Sequence, residues 1–224
     1  AITEIINLTF SPDSGQLLVT AIVRDDEWRR VVSYSVSDFS KPLYELLTNS
    51  AFVFSSDGAL LASDSTNELD GRVRETGTGE EVGGFGVKLE TDFTNLAATS
   101  FDFADSSTIL GLYIGGTSTE AGGRLSKLSS FLIDREFSTG KILNQYELES
   151  DALAYPMVIR LNPSGSKQYA IVHGDGTIRL YEYPSHTLLK TSKRYGTTGA
   201  PTLNPNGESL LLSYADEVQV LSTN

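Results

Sequence analysis

Two histidines, His173 and His186, are the residues of this chain best suited to acid–base chemistry near neutral pH. A nucleophilic site also needs a Ser or Thr hydroxyl beside such a base, and an acid must hold the base in place. No serine here lies in a Gly-x-Ser-x-Gly turn. His173 ends a predicted strand and His186 follows Pro184 and Ser185 in a predicted surface turn, so we interpret both as structural. Two histidines are also too few for a multi-histidine metal site.

Carboxylates and glycines offer two further kinds of site. The run Asp25-Asp26-Glu27 carries oxygens that suit Ca²⁺, but the spacing of a calcium-binding loop is missing and we interpret the run as a solvated loop. The glycines at 77–79 and 83–86 do not open a helix after a strand, as a phosphate or dinucleotide cradle requires. We interpret both stretches as turns, and we predict no catalytic residue, no metal and no cofactor.

The composition limits the partners that the chain could bind. Its 224 residues are 39% apolar and 21% charged, proportions typical of a folded chain with a sizeable core. Lys and Arg number 17 against 29 Asp and Glu, and the net charge of −12 disfavours nucleic acid and acidic membrane surfaces. The absence of cysteine excludes disulfides and thiol chemistry in this sequence.

An internal repeat decides where these residues lie. An alternating apolar run, a polar turn and a second apolar run recur five times. The first runs end at five anchor residues, Phe10, Phe54, Phe103, Leu161 and Leu203. The anchors are 44, 49, 58 and 42 residues apart, close to the repeat length of about 40–50 residues found in β-propellers. We expect the five anchors to be buried at equivalent positions.

Each repeat continues with a third and a fourth strand. Third strands are predicted at 31–36, 72–75, 130–134, 177–183 and 217–221, and fainter fourth strands at 43–47, 81–87, 142–147 and 187–192. The Gly-, Ser- and Thr-rich stretch 115–127 is predicted to be a loop inserted between a second and a third strand. Helical periodicity is nearly absent. We therefore predict an all-β fold of about five four-stranded antiparallel sheets.

Two stretches resemble the repeats of WD40-like, or YVTN-like, β-propellers. Residues 173–190 are the clearest match, with an Asp-Gly-Thr turn before a strand and Tyr181 in the place of the family's Trp. The tripeptide 139–141, Thr-Gly-Lys, is similar to the family's turn between third and fourth strands. The resemblance implies a β-propeller of about five blades, closed as a ring or forming an incomplete portion of a larger propeller. It also implies a single domain over residues 1–224, with repeats near 6–48, 51–96, 100–150, 157–195 and 200–224.

The same resemblance implies that loops between second and third strands form one face around a central channel. The loop 25–30 holds the only Trp, and Trp and Arg are enriched at interface hot spots. Connections near residues 155 and 194 lead to the same face. The predicted binding residues are Asp25, Asp26, Trp28, Arg29, Arg30, Tyr155, Arg194 and Tyr195. The Trp28 ring could instead pack over the edge of its own blade.

We therefore expect a non-catalytic scaffold that presents its loops to a protein or peptide, with no nucleic-acid or membrane partner. An unpaired terminal strand could add a second mode of association. Two alternatives stay open. One is the propeller domain of a hydrolase or peptidase, whose catalytic groups are not visible in this sequence. The other is a sensor domain that binds a small ligand or a glycan.

Overall fold

A computed structural model of the chain describes residues 2–23, 29–48, 52–64, 71–86, 95–118, 125–148, 156–161, 167–173, 176–193, 202–203, 209–213 and 218–222. Within these ranges all regular secondary structure is β-strand, as the alternating apolar runs predict. The strands form five sheets, each built from strands that follow one another along the chain. The all-β prediction is therefore confirmed.

Sheets 1 and 2 come from the first part of the chain. Sheet 1 has the spatial order β1 (Ile2–Phe10), β2 (Gln16–Val23), β3 (Arg29–Ser35) and β4 (Tyr44–Thr48). Sheet 2 has the order β5 (Phe52–Phe54), β6 (Leu60–Asp64), β7 (Gly71–Glu75) and β8 (Glu81–Gly84). All of their strand pairings are antiparallel.

The remaining sheets have three or four strands. Sheet 3 contains β9 (Asn95–Phe103), β10 (Thr108–Ser118), β11 (Leu125–Glu136) and β12 (Lys141–Leu148). Sheet 4 contains β13 (Pro156–Leu161), β14 (Gln168–His173), β15 (Thr177–Glu182) and β16 (Leu188–Lys193). Sheet 5 contains β17 (Thr202–Leu203), β18 (Ser209–Ser213) and β19 (Val218–Ser222). The pairings of sheets 4 and 5 are antiparallel.

The stretch 115–127 departs from its prediction as a loop. β10 runs on to Ser118 and β11 begins at Leu125, and the two strands are neighbours in sheet 3. Hydrogen bonds between paired backbones stabilise a strand whatever its side chains are. The Gly, Ser and Thr residues of this stretch lack the alternating apolar pattern of a strand, and the sequence therefore did not predict one here. The stretch does join a second to a third strand, as predicted.

The chain forms two compact units. The first comprises Ala1–Leu89, Asp105–Ile109 and Arg135–Ile142 and includes sheets 1 and 2. The second comprises Glu90–Ala104, Leu110–Asp134 and Leu143–Asn224 and includes most of sheet 3 together with sheets 4 and 5. The description of residues 1–224 as a single domain stays a prediction.

Each unit has an apolar core between sheets. In the first unit, Leu18 and Val31 of sheet 1 pack with Leu61 of sheet 2. In the second unit, Leu112 of sheet 3 packs with Tyr169 of sheet 4. These side chains are almost fully buried. The apolar positions that alternate along each strand therefore stabilise the fold by face-to-face packing of sheets.

The anchors occupy equivalent positions in the strand register. Four of them lie directly opposite a residue of the second strand, in the pairs Phe10–Leu17, Phe54–Leu61, Leu161–Tyr169 and Leu203–Leu210. Directly opposed residues share one side of a sheet. We call the side that carries this pair the anchor face, and the other side the reverse face. Because side chains point alternately to the two sides along a strand, each remaining strand residue can be assigned to the anchor face or to the reverse face.

The burial of the anchors is not equivalent, and the prediction of burial is wrong at Phe10. Phe103 is buried and Phe54 is half-buried, whereas Phe10 is 57% exposed. The side chains of Leu161 and Leu203 lie outside the described residues. Burial needs a neighbouring sheet as well as the correct register, and the described part of the chain leaves the anchor face of sheet 1 uncovered around Phe10.

Local hydrogen bonds hold the hairpin turns that the sequence predicts. The Ser55 hydroxyl donates to Asp57 Oδ1 over 2.6 Å, and the same oxygen accepts the N–H of Ala59 over 3.0 Å. These bonds hold the pKa of Asp57 below its ordinary value, with the Ser55 hydroxyl as the larger cause. Ser11 and Asp13 repeat the arrangement in the first hairpin. Pairs of Ser and Asp two residues apart are therefore a structural element of the repeat.

Candidate functional site

The structure describes two of the predicted binding residues, Arg29 and Arg30. The others, Asp25, Asp26, Trp28, Tyr155, Arg194 and Tyr195, lie outside the described residues. The described pair opens β3, directly after the loop that holds Trp28. The predicted position of this loop between a second and a third strand is confirmed. Its role in binding stays a prediction.

Arg30 lies on the anchor face of sheet 1. Its backbone is opposite Ala21 of β2 and Leu47 of β4. Its Nη1 donates to Oε2 of Glu45 over 3.0 Å, and both side chains keep more than a third of their surface exposed. An exposed pair of this kind adds little stability, but it fixes where the guanidinium lies and neutralises its charge within the sheet.

Exposed large apolar side chains lie on the same face as this ion pair, along the edge strands β1 and β4. Ile5, Leu8 and Leu47 share the anchor face with Arg30, and each is at least half exposed. Phe10 extends the same surface at the end of β1. We call this surface, formed by Ile5, Leu8, Phe10, Leu47 and the Arg30–Glu45 pair, the open face. Contiguous exposed apolar side chains with a few polar groups among them are typical of surfaces that bind other proteins.

Three polar side chains that are almost fully buried, Asp134, Tyr169 and His186, form a cluster with the exposed Asn144 in the second unit. Tyr169 Oη is 2.7 Å from Nδ1 of His186, and Nε2 of His186 is 3.8 Å from Oδ2 of Asp134. The side-chain amide of Asn144 donates to Oδ2 of Asp134 over 3.1 Å. The four residues come from β14, the turn between β15 and β16, β11 and β12. The cluster therefore joins sheets 3 and 4 through polar groups as well as apolar contacts.

Burial determines the protonation state of one member of the cluster, Tyr169. The Tyr169 hydroxyl and Nδ1 of His186 share one hydrogen bond, and the tautomer of the imidazole decides which of the two donates. Burial raises the pKa of Tyr169 above its ordinary value, and neighbouring Tyr181 and Asp134 add to the rise. Tyr169 therefore stays protonated.

This cluster has an acid, an imidazole and a hydroxyl in series, which is the order found in nucleophilic active sites. Its residues are not accessible to a substrate, because Asp134 and Tyr169 are fully buried and the His186 side chain is only 7% exposed. A buried hydroxyl with a raised pKa is also a poor nucleophile. The arrangement is best suited to holding two sheets together.

Aromatic rings complete the surroundings of His186. Its ring lies 3.7 Å from that of Tyr146 and 5.9 Å from that of Tyr183, centre to centre. Tyr169 in turn stacks on Tyr181 at 5.1 Å. The interpretation of His186 as a side chain in a surface turn is therefore wrong in one respect. The backbone lies in the turn, with a positive φ of 55°, but the imidazole packs inward.

The second histidine lies where the sequence predicts it. His173 is the last residue of β14 and is almost fully buried. No single spacing in the sequence links His186 to Asp134 or Asn144, because the three come from different strands and turns. The buried cluster was therefore missed, and only its run of aromatic neighbours in 181–183 gives a local signal.

Within the described ranges, no group of three or more His, Asp or Glu side chains could hold a metal ion. The same ranges contain no helix that is long and apolar enough to cross a membrane.

Comparison with known proteins gives a fold but no family. No protein-family model matches the chain, and no curated protein matches its sequence. Among solved structures, the chain is similar to the β-propeller domain of Cps50 (Swd1) from Myceliophteria thermophila. The two are 13% identical, with a TM-score of 0.66 over 99% of this chain and 68% of the other. At this identity the likeness is one of fold, and it supports the β-propeller class expected from the repeats.

Proposed function

We propose that this chain is a non-catalytic scaffold, a β-propeller of five blades within one domain, that binds a protein or peptide. Each of the five sheets would be one blade. The likeness to a β-propeller domain along nearly the whole chain supports the architecture. A fold of this class hosts many functions, so the surface has to carry the functional argument.

The observation that carries the proposal is the surface of sheet 1. Arg30 lies among exposed apolar side chains, and its neighbour Arg29 directly follows the loop that holds Trp28. A partner that covers such a surface gains from apolar burial, and Arg side chains orient carboxylates or carbonyls of the partner. The one acid–imidazole–hydroxyl series among the described residues is buried, which favours binding over catalysis.

The mechanism would be rigid display. Arg29 is held in the ladder between Ile22 and Thr48, so the strand after the loop is fixed on both sides. A side chain on a strand that is paired on both sides binds a partner with little loss of backbone conformational entropy.

The experiment is a selection of peptides on the purified protein, followed by calorimetric titration of the best peptide. The double variant Trp28→Ala/Arg30→Ala, which removes the arginine of the open face, should bind at least about tenfold more weakly, while its circular dichroism is unchanged. The matched control is Arg72→Ala, which removes an exposed arginine paired with Glu81 on sheet 2. Equal weakening by the control, or a failure to select any peptide, would contradict the proposal.

A further inference from the structure

The same turn joins the third to the fourth strand in sheets 2, 3 and 4. In each copy the carboxylate of a Glu accepts a hydrogen bond from the hydroxyl of the residue three positions later. The backbone carbonyl of that Glu accepts the N–H of the residue four positions later. The three copies are Glu75 with Thr78 and Gly79, Glu136 with Thr139 and Gly140, and Glu182 with Ser185 and His186. One of the three turns therefore ends on a histidine where the other two have glycine.

The backbone at this last position is left-handed in all three turns. The φ angles are 73° at Gly79, 70° at Gly140 and 55° at His186. Glycine adopts such angles without strain, whereas the Cβ of any other residue makes them unfavourable. Glycine would therefore satisfy the turn of sheet 4, and the strained backbone of His186 indicates that the surroundings of its imidazole hold it in place.

The imidazole of His186 faces a carboxylate that has few partners. Asp134 is fully buried, and its Oδ2 accepts a hydrogen bond from the Asn144 amide and lies 3.8 Å from Nε2 of His186. Within the part of the chain that the structure describes, Asp134 Oδ1 and His186 Nε2 have no hydrogen-bond partner. Among the same residues, His186 is the only side chain at ion-pair distance from Asp134. In this part of the chain, the imidazole is therefore the one group that can balance the charge of the carboxylate.

Burial limits the number of protons that this pair can hold. An ionised carboxylate with no positive partner is strongly disfavoured away from water. The pair can avoid this charge by keeping one proton, either on the imidazole beside an ionised carboxylate or on the carboxyl group beside a neutral imidazole. Both arrangements have no net charge, and the two groups then exchange the proton with solvent as one unit. In the unfolded chain both groups are in water, and above a pH of about 6.5 they hold no proton.

The other titratable groups around His186 are tyrosines, whose hydroxyls are ordinarily neutral near pH 7. They come from sheet 3, from sheet 4 and from the turn itself, and they are Tyr146 of β12, Tyr169 of β14, Tyr181 of β15, which stacks on Tyr169, and Tyr183 of the turn. Burial is the main cause that raises the pKa of Tyr169 above its ordinary value, so this hydroxyl stays protonated. Glu182 of the same turn is exposed and accepts the Ser185 hydroxyl over 2.7 Å. None of these described groups is a cation.

We propose that Asp134 and His186 form a pH-sensitive link between sheets 3 and 4, which persists while the pair keeps one proton and is broken when alkaline pH removes it. Loss of the proton leaves an ionised carboxylate buried beside a neutral imidazole, and separation of the turn from β11 hydrates it. The folded chain holds one proton more than the unfolded chain above a pH of about 6.5, so this contribution to stability is lost as the pH rises. The link lies within the second unit and does not depend on the binding function proposed above.

Urea unfolding of the full chain from a pH of about 6.5 to about 8.5 tests the link with two variants. Asp134→Asn keeps the shape of the side chain but removes the group that needs the proton. His186→Gly removes the imidazole and gives this turn the residue of its other two copies, and water that enters the site then keeps Asp134 ionised. One proton held only by the folded chain changes the unfolding equilibrium constant tenfold per pH unit. The unfolding constant of the unchanged protein, divided by that of either variant, should therefore rise at least about tenfold over this range.

The three proteins share every titratable group outside the pair, including His173, so the remaining effects of pH cancel in these ratios. Circular dichroism identifies a variant that fails to fold. Equal pH dependence of the unchanged protein and Asp134→Asn would overturn the proposal. Equal pH dependence of the unchanged protein and His186→Gly would also overturn it, because the carboxyl group would then hold the proton without the imidazole.

Amide hydrogen exchange in the unchanged protein tests the link without any substitution. The N–H groups of His186 and Gly79 donate to the carbonyls of Glu182 and Glu75 over 2.9 and 2.8 Å. The two hydrogen bonds are equivalent, so the intrinsic effect of pH on exchange cancels in the ratio of their rates. Opening of the link should raise the exchange rate at His186 relative to that at Gly79 at least about tenfold from a pH of about 6.5 to about 8.5. A ratio that stays constant over this range would overturn the proposal.

Discussion

The Oη of Tyr169 lies 2.7 Å from Nδ1 of His186, and this hydrogen bond joins the second strand of sheet 4 to the turn between its third and fourth strands. The imidazole continues to Asp134 of sheet 3, 3.8 Å from its Nε2. Two neighbouring sheets of the second unit are thus connected through one buried polar series. A network of this kind stabilises the fold only while its members keep their partners.

Replacing Tyr169 by Phe tests the hydroxyl of this series. The substitution keeps the ring stacked on Tyr181 but removes the hydroxyl that is hydrogen-bonded to His186. The buried Nδ1 of His186 then loses its partner, and the free energy of unfolding should fall by about 1–2 kcal/mol. Urea denaturation measures the change. Tyr34→Phe, on a partly exposed ring of sheet 1, is the control and should change stability by less than about 0.5 kcal/mol. Equal losses in the two variants would contradict a special role for the hydroxyl.

Replacing Asp134 by Ala tests the acid of the series. The carboxylate is fully buried and accepts the amide of Asn144, and it faces the imidazole of His186. Its removal takes the acceptor from the exposed Asn144 amide and the carboxylate from beside the buried imidazole, so unfolding should become easier by about 1–3 kcal/mol. Thermal and urea denaturation measure this. Glu81→Ala, which breaks exposed ion pairs on sheet 2, should cost less than about 1 kcal/mol. A smaller loss for Asp134→Ala than for Glu81→Ala would show that the cluster is not needed for stability.

The repeat made much of the fold predictable. Anchors such as Phe54 end an alternating run before a Ser-x-Asp-Gly turn, and this local pattern determines both the strand and its hairpin partner. The prediction of burial was wrong at Phe10, whose register matches that of Phe54. Register depends on neighbouring residues in the sequence, whereas burial depends on a second sheet that the local pattern does not specify.

The sequence was less informative about the candidate sites. Asp134 and His186 come together only because sheets 3 and 4 pack, and no motif spans the residues between them. Arg30 was predicted to be a binding residue because it is an arginine and lies beside the loop that holds Trp28. Its position at the start of a third strand was predictable. Its pairing with Glu45 was not, because it requires the register of β3 and β4.

Replacing Gly71 by Ala tests a close approach in sheet 2. A Cβ at this position would lie 2.0 Å from two ring carbons of Phe85, which is itself buried. The ring or the strand has to shift, so the melting temperature should fall by an amount that corresponds to about 2–3 kcal/mol. Gly77→Ala is the matched control, because the nearest atom to its added Cβ is 3.9 Å away and the φ angle is not positive. The control should change stability by less than about 1 kcal/mol. Similar melting temperatures for the two variants would contradict the close packing of Phe85 on Gly71.

Replacing Asp57 by Asn tests the turn of sheet 2 through its pH dependence. An amide oxygen can still accept from the Ser55 hydroxyl and the Ala59 N–H, so the substitution removes the charge and keeps the geometry. The hydrogen bonds hold the folded-state pKa of Asp57 below its usual 3.8. A lowered pKa contributes stability above the unfolded-state value, and that contribution is lost as the pH falls through the folded-state value. The unchanged protein should therefore be more stable than Asp57→Asn at pH 7, by less than about 1 kcal/mol because the carboxylate is exposed.

The difference between the two proteins should shrink as the pH falls below the usual pKa of an aspartate, because the carboxylate of the unchanged protein then becomes protonated and loses its charge advantage. Urea denaturation at several pH values from neutral to acid measures both proteins under the same conditions. Common effects of acid on the rest of the chain cancel in the difference, since the two proteins share every other titratable group. A difference that grows on acidification would mean that the Ser55 and Ala59 donors do not stabilise the charged form of Asp57 in the folded state.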